Sequence, residues 1–385
     1  MSPTPTPRRG RRSPRRPELD GLLLRAPAGQ AGARPASRGP TDPIHVSGCD
    51  YLGLSRDPVV REAWLKASAS GPLQTGASRA TTGDHPLYRR AEDSIADFLG
   101  EADAVFTATG YLASLAVAQG LAAEATHVIV DEGAHRCVRD GARLSGLPVI
   151  PFATGNPEAL RSALRRLPRS ARPLVATDGV HGLRGGMAPL DALLAVLPAS
   201  GWLWVDDAHG IGSAGATGRG SAEVFGLRDA RLVRSLTGSK ALGVAGGAVV
   251  GAAPVIDQVR RRAGAYLASS APPLAVAAAF AAAVDRVHRR PGLVRRLQGL
   301  AARFSAALPS RPEILTDPRT PVTAIHPVDA AQARRLDESL VASGFVPPWI
   351  RYPGGPGDGF FRIALCATLG ASQVDRLARA IRDGL

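Results

Sequence analysis

The sequence predicts an α/β protein: a large domain on a mostly parallel sheet covered on both faces, then a smaller α+β domain. Two observations carry this. Short β-branched runs alternate with helical patterns through the middle of the chain, the signature of strand–helix–strand units. After about residue 285 the alternation gives way to two long amphipathic helices with a strand between them.

The elements follow in order. The first seventeen residues, MSPTPTPRRGRRSPRRP, hold six arginines and no acid. Pro and Arg at that density neither pack nor form a helix, so residues 1–40 are expected to be a disordered tail. No aromatics interleave with the arginines, so the tail reads as a solvated extension rather than a nucleic-acid arm. A short segment, 41–58, leads into the large domain at 59–284. Its strands are expected at AVFTA (104–108), HVIVD (127–131), PVIPFA (148–153), PLVATDG (173–179), WLWVDD (202–207), RLVRSL (231–236) and GAVVG (247–251). In NPEALRSALRRL, Asn156 is a natural N-cap and Pro157 suits the first helical position. The small domain, 285–385, holds the helices VDAAQARRLDESLVASG (328–344) and SQVDRLARAIRDG (372–384), with FFRIAL (360–365) as a strand. Ser372 followed by Asp375 reads as a capping pattern at the start of the last helix.

The net charge is +14, and only Lys66 and Lys240 among the 47 basic residues are lysines. Arg in place of Lys is the habit of a GC-rich genome; the mildly basic body suits a polyanionic substrate or an acidic carrier protein. Cys49, Cys137 and Cys366 are widely spaced and odd in number, which fits a reducing cytoplasm rather than a disulfide framework, and no metal site is expected. No apolar run reaches membrane length, and APPLAVAAAFAAAV from Ala271 reads as a buried helix. The Arg-rich start lacks the apolar core of a signal peptide.

Chemistry concentrates where strands end. WLWVDDAHGIGSAGATGRG (202–220) ends an apolar strand in Asp206-Asp207, with His209 next and a glycine-rich loop after it. GIGSAG matches a dinucleotide fingerprint, but that motif needs a helix opening on its third glycine, and here more loop follows. Lys240 stands in SLTGSKALG at the end of another strand. In a chain that writes Arg elsewhere, a Lys here points to the one role Arg cannot fill: a neutral amine that forms an imine with a carbonyl. That is the lysine of a pyridoxal 5'-phosphate (PLP) enzyme, whose ring nitrogen pairs with an acid. Asp206 is the natural acid, and His209 can turn back towards the ring hydroxyl. In VFTATGYLAS (105–114) a strand gives way to Thr109-Gly110-Tyr111 and a helix whose free N–H groups suit a phosphate. His135 lies just beyond a strand end in VDEGAHRCVRDG (130–141).

Together these stretches resemble the α-oxoamine synthase family of fold-type I PLP-dependent enzymes, from DYLGLSRDP near residue 50 to the C-terminus. GASRATTGDHPLYRRAEDSIADFLG, VDDAHGIGSAGATGRG and TGSKALGVAGGAVVG are similar to three ordered motifs of that family. The resemblance implies an aspartate aminotransferase-like fold. It makes Lys240 the Schiff-base lysine and Asp206 the ring-nitrogen partner. His209 falls beside the ring oxygen and His135 stacks on the ring face. Thr109, Gly110, Tyr111 and Thr237 become cofactor and phosphate contacts, and Ser269 a hydroxyl lent across a homodimer interface. Arg362 matches the arginine that holds an amino acid's carboxylate.

Departures cluster on the substrate side. Cys49 stands where the family has a substrate-contacting Asn, Gly182 replaces a Ser, Arg184 an Asp, and Leu369 a His. The implied activity is decarboxylative condensation of an amino acid with an acyl thioester, carried on coenzyme A or an acyl carrier protein, giving an α-amino ketone. The departures tilt the role to specialised metabolism. Transamination, aldol cleavage or another carbanion chemistry on the same fold is the alternative, and a fold without turnover or a nucleic-acid binder led by the tail is a third.

Overall fold

The computed structural model describes residues 43–352 and 359–385. The expected tail, 1–40, lies outside them. A two-residue strand β1 (Ile44–His45) opens the described chain. Seven strands then build the main sheet: β2 (Asp103–Thr107), β3 (His127–Asp131), β4 (Val149–Phe152), β5 (Pro173–Asp178), β6 (Trp202–Asp206), β7 (Leu232–Thr237) and β8 (Gly247–Gly251). All seven sequence expectations fall within a residue or two of these bounds. Their order across the sheet is β2-β8-β7-β6-β5-β3-β4, with β8 antiparallel to both neighbours and the rest parallel. Strands buried on both faces are mainly apolar; β5 and β7 are buried at every residue, and their polar members are Thr177, Asp178, Arg234, Ser235 and Thr237.

Alternation sends neighbouring side chains to opposite faces. Val128, Val130, Leu174, Ala176, Trp204 and Val233 pack with the helices Gly110–Leu121, Arg136–Leu144 and Ala253–Arg262. Ile129, Val175, Leu203 and Val205 pack with Pro157–Arg165 and Leu190–Val196 on the other face. Asn156 caps its helix as the sequence foretold, its side chain accepting from Glu158 N and Ala159 N at 3.0 Å each. The Ala-rich run from Ala271 contains the largely buried helix Leu274–Arg289. The expected boundary at residue 284 falls inside that helix, so continuous helix rather than a linker carries the chain past it.

Beyond lie β9 (Ile314–Thr316), β10 (Val322–Ile325), β11 (Phe345–Val346), β12 (Trp349–Ile350) and β13 (Phe360–Ala364). Strands β12-β13-β10-β9 form an antiparallel sheet, and β1 pairs with β11. In β13, Phe361 and Ile363 enter the core and Arg362 between them faces the other way. The capping expectation for the last helix is corrected: the helix Ala371–Gly384 starts one residue before Ser372. Gly370 is the N-cap, and Gln373 rather than Asp375 accepts its N–H, at 2.8 Å. Asp375 instead pairs with Arg303 at 2.6 Å. Among the described residues no helix is long and apolar enough to cross a membrane.

One buried ion pair ties the motif around Arg79 to the sheet. Arg79 and Glu92 are 5% and 2% exposed, with Nη1 and Oε1 2.5 Å apart. Glu92 Oε1 also accepts the Phe106 N–H of β2 at 2.9 Å, and the guanidinium lies over the Tyr88 ring at 4.8 Å. Removing one partner of such a pair strands the other charge. Glu92→Ala is therefore expected to cost about 3–5 kcal/mol, read as a lower urea midpoint with an unchanged slope.

Candidate active site

In an open α/β sheet the strands' carboxyl ends line one edge, and functional groups gather there. Here Ser235, Asp206 and Asp178 are register partners on adjacent strands β7, β6 and β5. Lys240 follows β7, His209 follows β6 and His135 follows β3. The topology thus brings together residues spread over more than a hundred positions.

Asp206 is 5% exposed. Its Oδ2 accepts from the Ser114 hydroxyl at 2.7 Å and the Ser235 hydroxyl at 3.1 Å, with the Cys137 thiol at 3.5 Å. Its Oδ1 accepts the Ala208 N–H at 3.1 Å. Ser235 is held in turn by the indole N–H of Trp204 at 3.0 Å. Burial pushes the Cys137 thiol far up, so it stays protonated. Among the described residues Asp206 has no basic partner within ion-pair distance. Lys240 likewise has no acidic partner among them, although its charge acts on His135, His209 and Asp178.

His135 caps the helix Arg136–Leu144, and its backbone N–H donates to both Asp178 carboxylate oxygens at 3.0 Å. Its Nε2 meets the Tyr352 hydroxyl at 2.9 Å. Burial, reinforced by the Lys240 charge, lowers the His135 pKa, and the same causes hold His209 well below the usual imidazole range. Both shifts favour the neutral ring. Burial, then the nearby Asp206 charge, raises Asp178 well above the carboxylate range.

Thr109 caps the helix Gly110–Leu121 by accepting Leu112 N at 3.2 Å. A Cβ on Gly110 would lie 2.5 Å from Thr237 Cβ, so glycine lets this helix start press against the end of β7. The Thr237 hydroxyl lies 2.8 Å from Ser239 Oγ and 3.2 Å from the Gly246 carbonyl. Tyr111 turns outward, and its hydroxyl donates to Asp140 at 2.9 Å. Ser269 donates to the neighbouring Ser270 carbonyl at 3.3 Å, and among the described residues no hydrogen bond joins it to the cluster.

On the small-sheet side, Arg362 is 6% exposed. Its Nε donates to the Gly182 carbonyl at 2.6 Å and its Nη2 to the Tyr51 hydroxyl at 3.3 Å. Cys49 Sγ lies 3.6 Å from Nη2, and the Ser47 carbonyl 3.5 Å from Nη1. Among the described residues no carboxylate pairs with this buried guanidinium. Gly182 is wedged between the two domains' groups, since a Cβ there would fall on His209 Nε2.

Residues 41–381 match the family described as aminotransferase class I and II. The chain belongs to that family. It is 35% identical to the 8-amino-7-oxononanoate synthase of Thioalkalivibrio sulfidiphilus over 86% of each chain. It is 39% identical to a putative 8-amino-7-oxononanoate synthase of Caulobacter sp., again over 86% of each. Among solved structures it resembles a variant serine palmitoyltransferase from S. paucimobilis with a bound PLP–myriocin aldimine. The TM-score is 0.82 at 26% identity, covering 89% of this chain and 87% of that one. The fold-type I architecture and the α-oxoamine synthase resemblance expected from the sequence both stand on these relatives.

The motifs pointed to Asp206 but not to its cage. Ser114 lies one turn into the helix that Thr109 caps, and Ser235 lies two residues before Thr237 on one strand face; those offsets were the available signal. Tyr51 and Asp178 sat inside quoted stretches without being singled out, and Tyr352 carried no signal.

Two expectations follow. Asp207 is fully buried, accepts the Ser221 N–H at 3.0 Å and lies 3.8 Å from Arg234. Burial, opposed by Arg234, raises its pKa to about 6. The folded state therefore keeps a proton that the unfolded state releases near its ordinary value of about 3.9. The resulting stabilisation is present below that value and is lost as pH rises through about 6. Between pH 4 and 7 the unfolding free energy should gain roughly 2–3 kcal/mol in Asp207→Asn relative to the parent. In Gly182→Ala the new methyl displaces His209, and turnover is expected to fall about 10²-fold with circular dichroism unchanged.

Proposed function

We propose that this chain catalyses the PLP-dependent decarboxylative condensation of an amino acid with an acyl thioester, giving an α-amino ketone. One observation carries the reading. Asp206, Lys240 and Arg362 converge on one site, and among the described residues none has a counter-ion. Buried charges are normally paired, and PLP with an amino acid supplies the partners: a ring nitrogen that is cationic when protonated, a carbonyl and a carboxylate. The residues fit the cofactor.

When bound, PLP supplies an electron sink for negative charge at the amino acid's α-carbon. Lys240 Nζ would hold the cofactor, and its amine is the base available for the α-proton. Asp206, caged by Ser114 and Ser235, would pair with the ring nitrogen. His135 and His209 would contact the ring. The first-turn N–H groups after Thr109 and Gly110, with Tyr111 and Thr237, would hold the phosphate, with Ser269 contributed from the second subunit of a homodimer. Arg362 binds the substrate carboxylate, a task suited to its planar fork, with Cys49 and Gly182 beside it. The α-carbon, having lost its proton, forms the new bond to the thioester carbonyl as the C–S bond breaks and the thiolate leaves, taking up a proton. The carboxylate then departs as carbon dioxide, and the electron pair left at the α-carbon is protonated. The acyl carrier is coenzyme A or an acyl carrier protein, both of which the basic body suits. The setting is cytoplasmic, and the altered groups at 49 and 182 favour specialised metabolism.

The test has two parts. Borohydride should fix the cofactor of the yellow protein onto Lys240, and Lys240→Ala should lose turnover by about 10³-fold or more. Label on Lys66, or none retained, overturns the cofactor site. Thiol release, assayed across amino acids with acyl-CoA and acyl-carrier substrates, should accompany amino acid consumption. Consumption without thiol release would show transamination or aldol cleavage instead.

A further inference from the structure

We propose that Tyr51 is a positioning residue that fixes His209 as its Nε2–H tautomer and ties it to Arg362. The proposal rests on the functional reading above, in which His209 and Arg362 serve one site. Tyr51 is 1% exposed; its hydroxyl lies 3.3 Å from Arg362 Nη2 and 2.7 Å from His209 Nδ1, with the Cys49 thiol, a much weaker acceptor, as a further neighbour. Arginine has donors and no acceptor, so at the first contact the phenol oxygen must accept. Its single proton then goes to the stronger acceptor. That is His209 Nδ1, so it carries no proton of its own. In a neutral imidazole the proton then sits on Nε2. Burial raises the Tyr51 pKa and lowers that of His209, so neither group leaves the state this assignment needs.

The place of that Nε2 is confined as well. Nε2 lies over Gly182, where a side chain would collide with it, and the Gly182 carbonyl accepts from Arg362 Nε at 2.6 Å. Tyr51, His209, Gly182 and Arg362 thus close a ring of contacts. In this backbone the glycine at position 182 leaves room for the imidazole in the place Tyr51 holds it. The ring links the group that binds the carboxylate to a donor serving the cofactor's oxygen side, with no direct contact between the two. Removing the Tyr51 hydroxyl keeps the packed ring and deletes only the polar contacts.

The experiment is ¹⁵N spectroscopy of the holoenzyme labelled at histidine, with His209 assigned by its loss in His209→Asn. Wild-type protein should show an unprotonated Nδ1 and a protonated Nε2. Tyr51→Phe should move both signals towards a mixture of tautomers, keep the cofactor's absorbance, and lower kcat about tenfold or more with a smaller change in KM. Cys49→Ala should leave the His209 signals in place, because the neighbouring thiol does not take the Tyr51 proton. A wild-type Nδ1–H, or signals unmoved by Tyr51→Phe, overturns the proposal; so does a shift of the same size in Cys49→Ala. Failure of borohydride labelling at Lys240 would overturn the functional reading and leave the tautomer measurement standing.

Discussion

The site hangs on a carboxylate buried without a cation. Asp206 sits at the end of β6, 5% exposed, with hydroxyls from Ser114 and Ser235 and one backbone N–H around it. Hydrogen bonds of this kind hold a charge in place but do not neutralise it. Every element that reaches Asp206 is therefore arranged around a cationic visitor. The helix that brings Ser114 also offers its N-terminus, where N–H groups favour an anion. The strand that brings Ser235 continues through Thr237 to Lys240. The buried charge thus sits where β5, β6 and β7 are in register and where the helix Gly110–Leu121 approaches, which Gly110 brings against Thr237.

The opposite charge comes from the other sheet. Arg362 stands between Phe361 and Ile363, two core residues of β13, and strand alternation alone turns it from that core. Its neighbours are neutral: two carbonyls, a phenol and a thiol. A molecule spanning the two sites would present a cation to Asp206 and an anion to Arg362. This is the charge pattern of a PLP-bound amino acid, and it is why the same pair of residues supports both the cofactor reading and the substrate class.

Much of this was legible before any coordinates. The seven main strands are apolar runs bounded by Gly, Pro and Asp, so their limits showed; the Asn156 cap showed because its side-chain chemistry is local. The small sheet was harder. Only β13 announced itself; β9, β10 and β12 have two to four residues each, too few for a period to register. The last helix misled because Ser372 and Asp375 satisfy a spacing that Gly370 and Gln373 satisfy two residues earlier. At the site, single-residue chemistry marked Lys240 and Asp206, and the family resemblance marked Arg362. The cage around Asp206 and the bond from Tyr51 to His209 join positions 92 and 158 residues apart. Only the fold makes such pairs neighbours.

The substrate-side departures then make sense as one set rather than as separate losses. A side chain at 182 and the imidazole of His209 compete for one volume. Once His209 holds it, Gly182 can contribute only its carbonyl, and that carbonyl goes to Arg362. At position 49 a thiol replaces an amide beside the same guanidinium; sulfur is a weak acceptor, and at 3.6 Å it offsets little of the charge. Both changes leave Arg362 more dependent on an incoming carboxylate and remove polar groups that could read the rest of the amino acid. On the proposed reading, in which Arg362 takes the substrate carboxylate, recognition in this pocket shifts towards that carboxylate and discrimination among amino acids falls to shape.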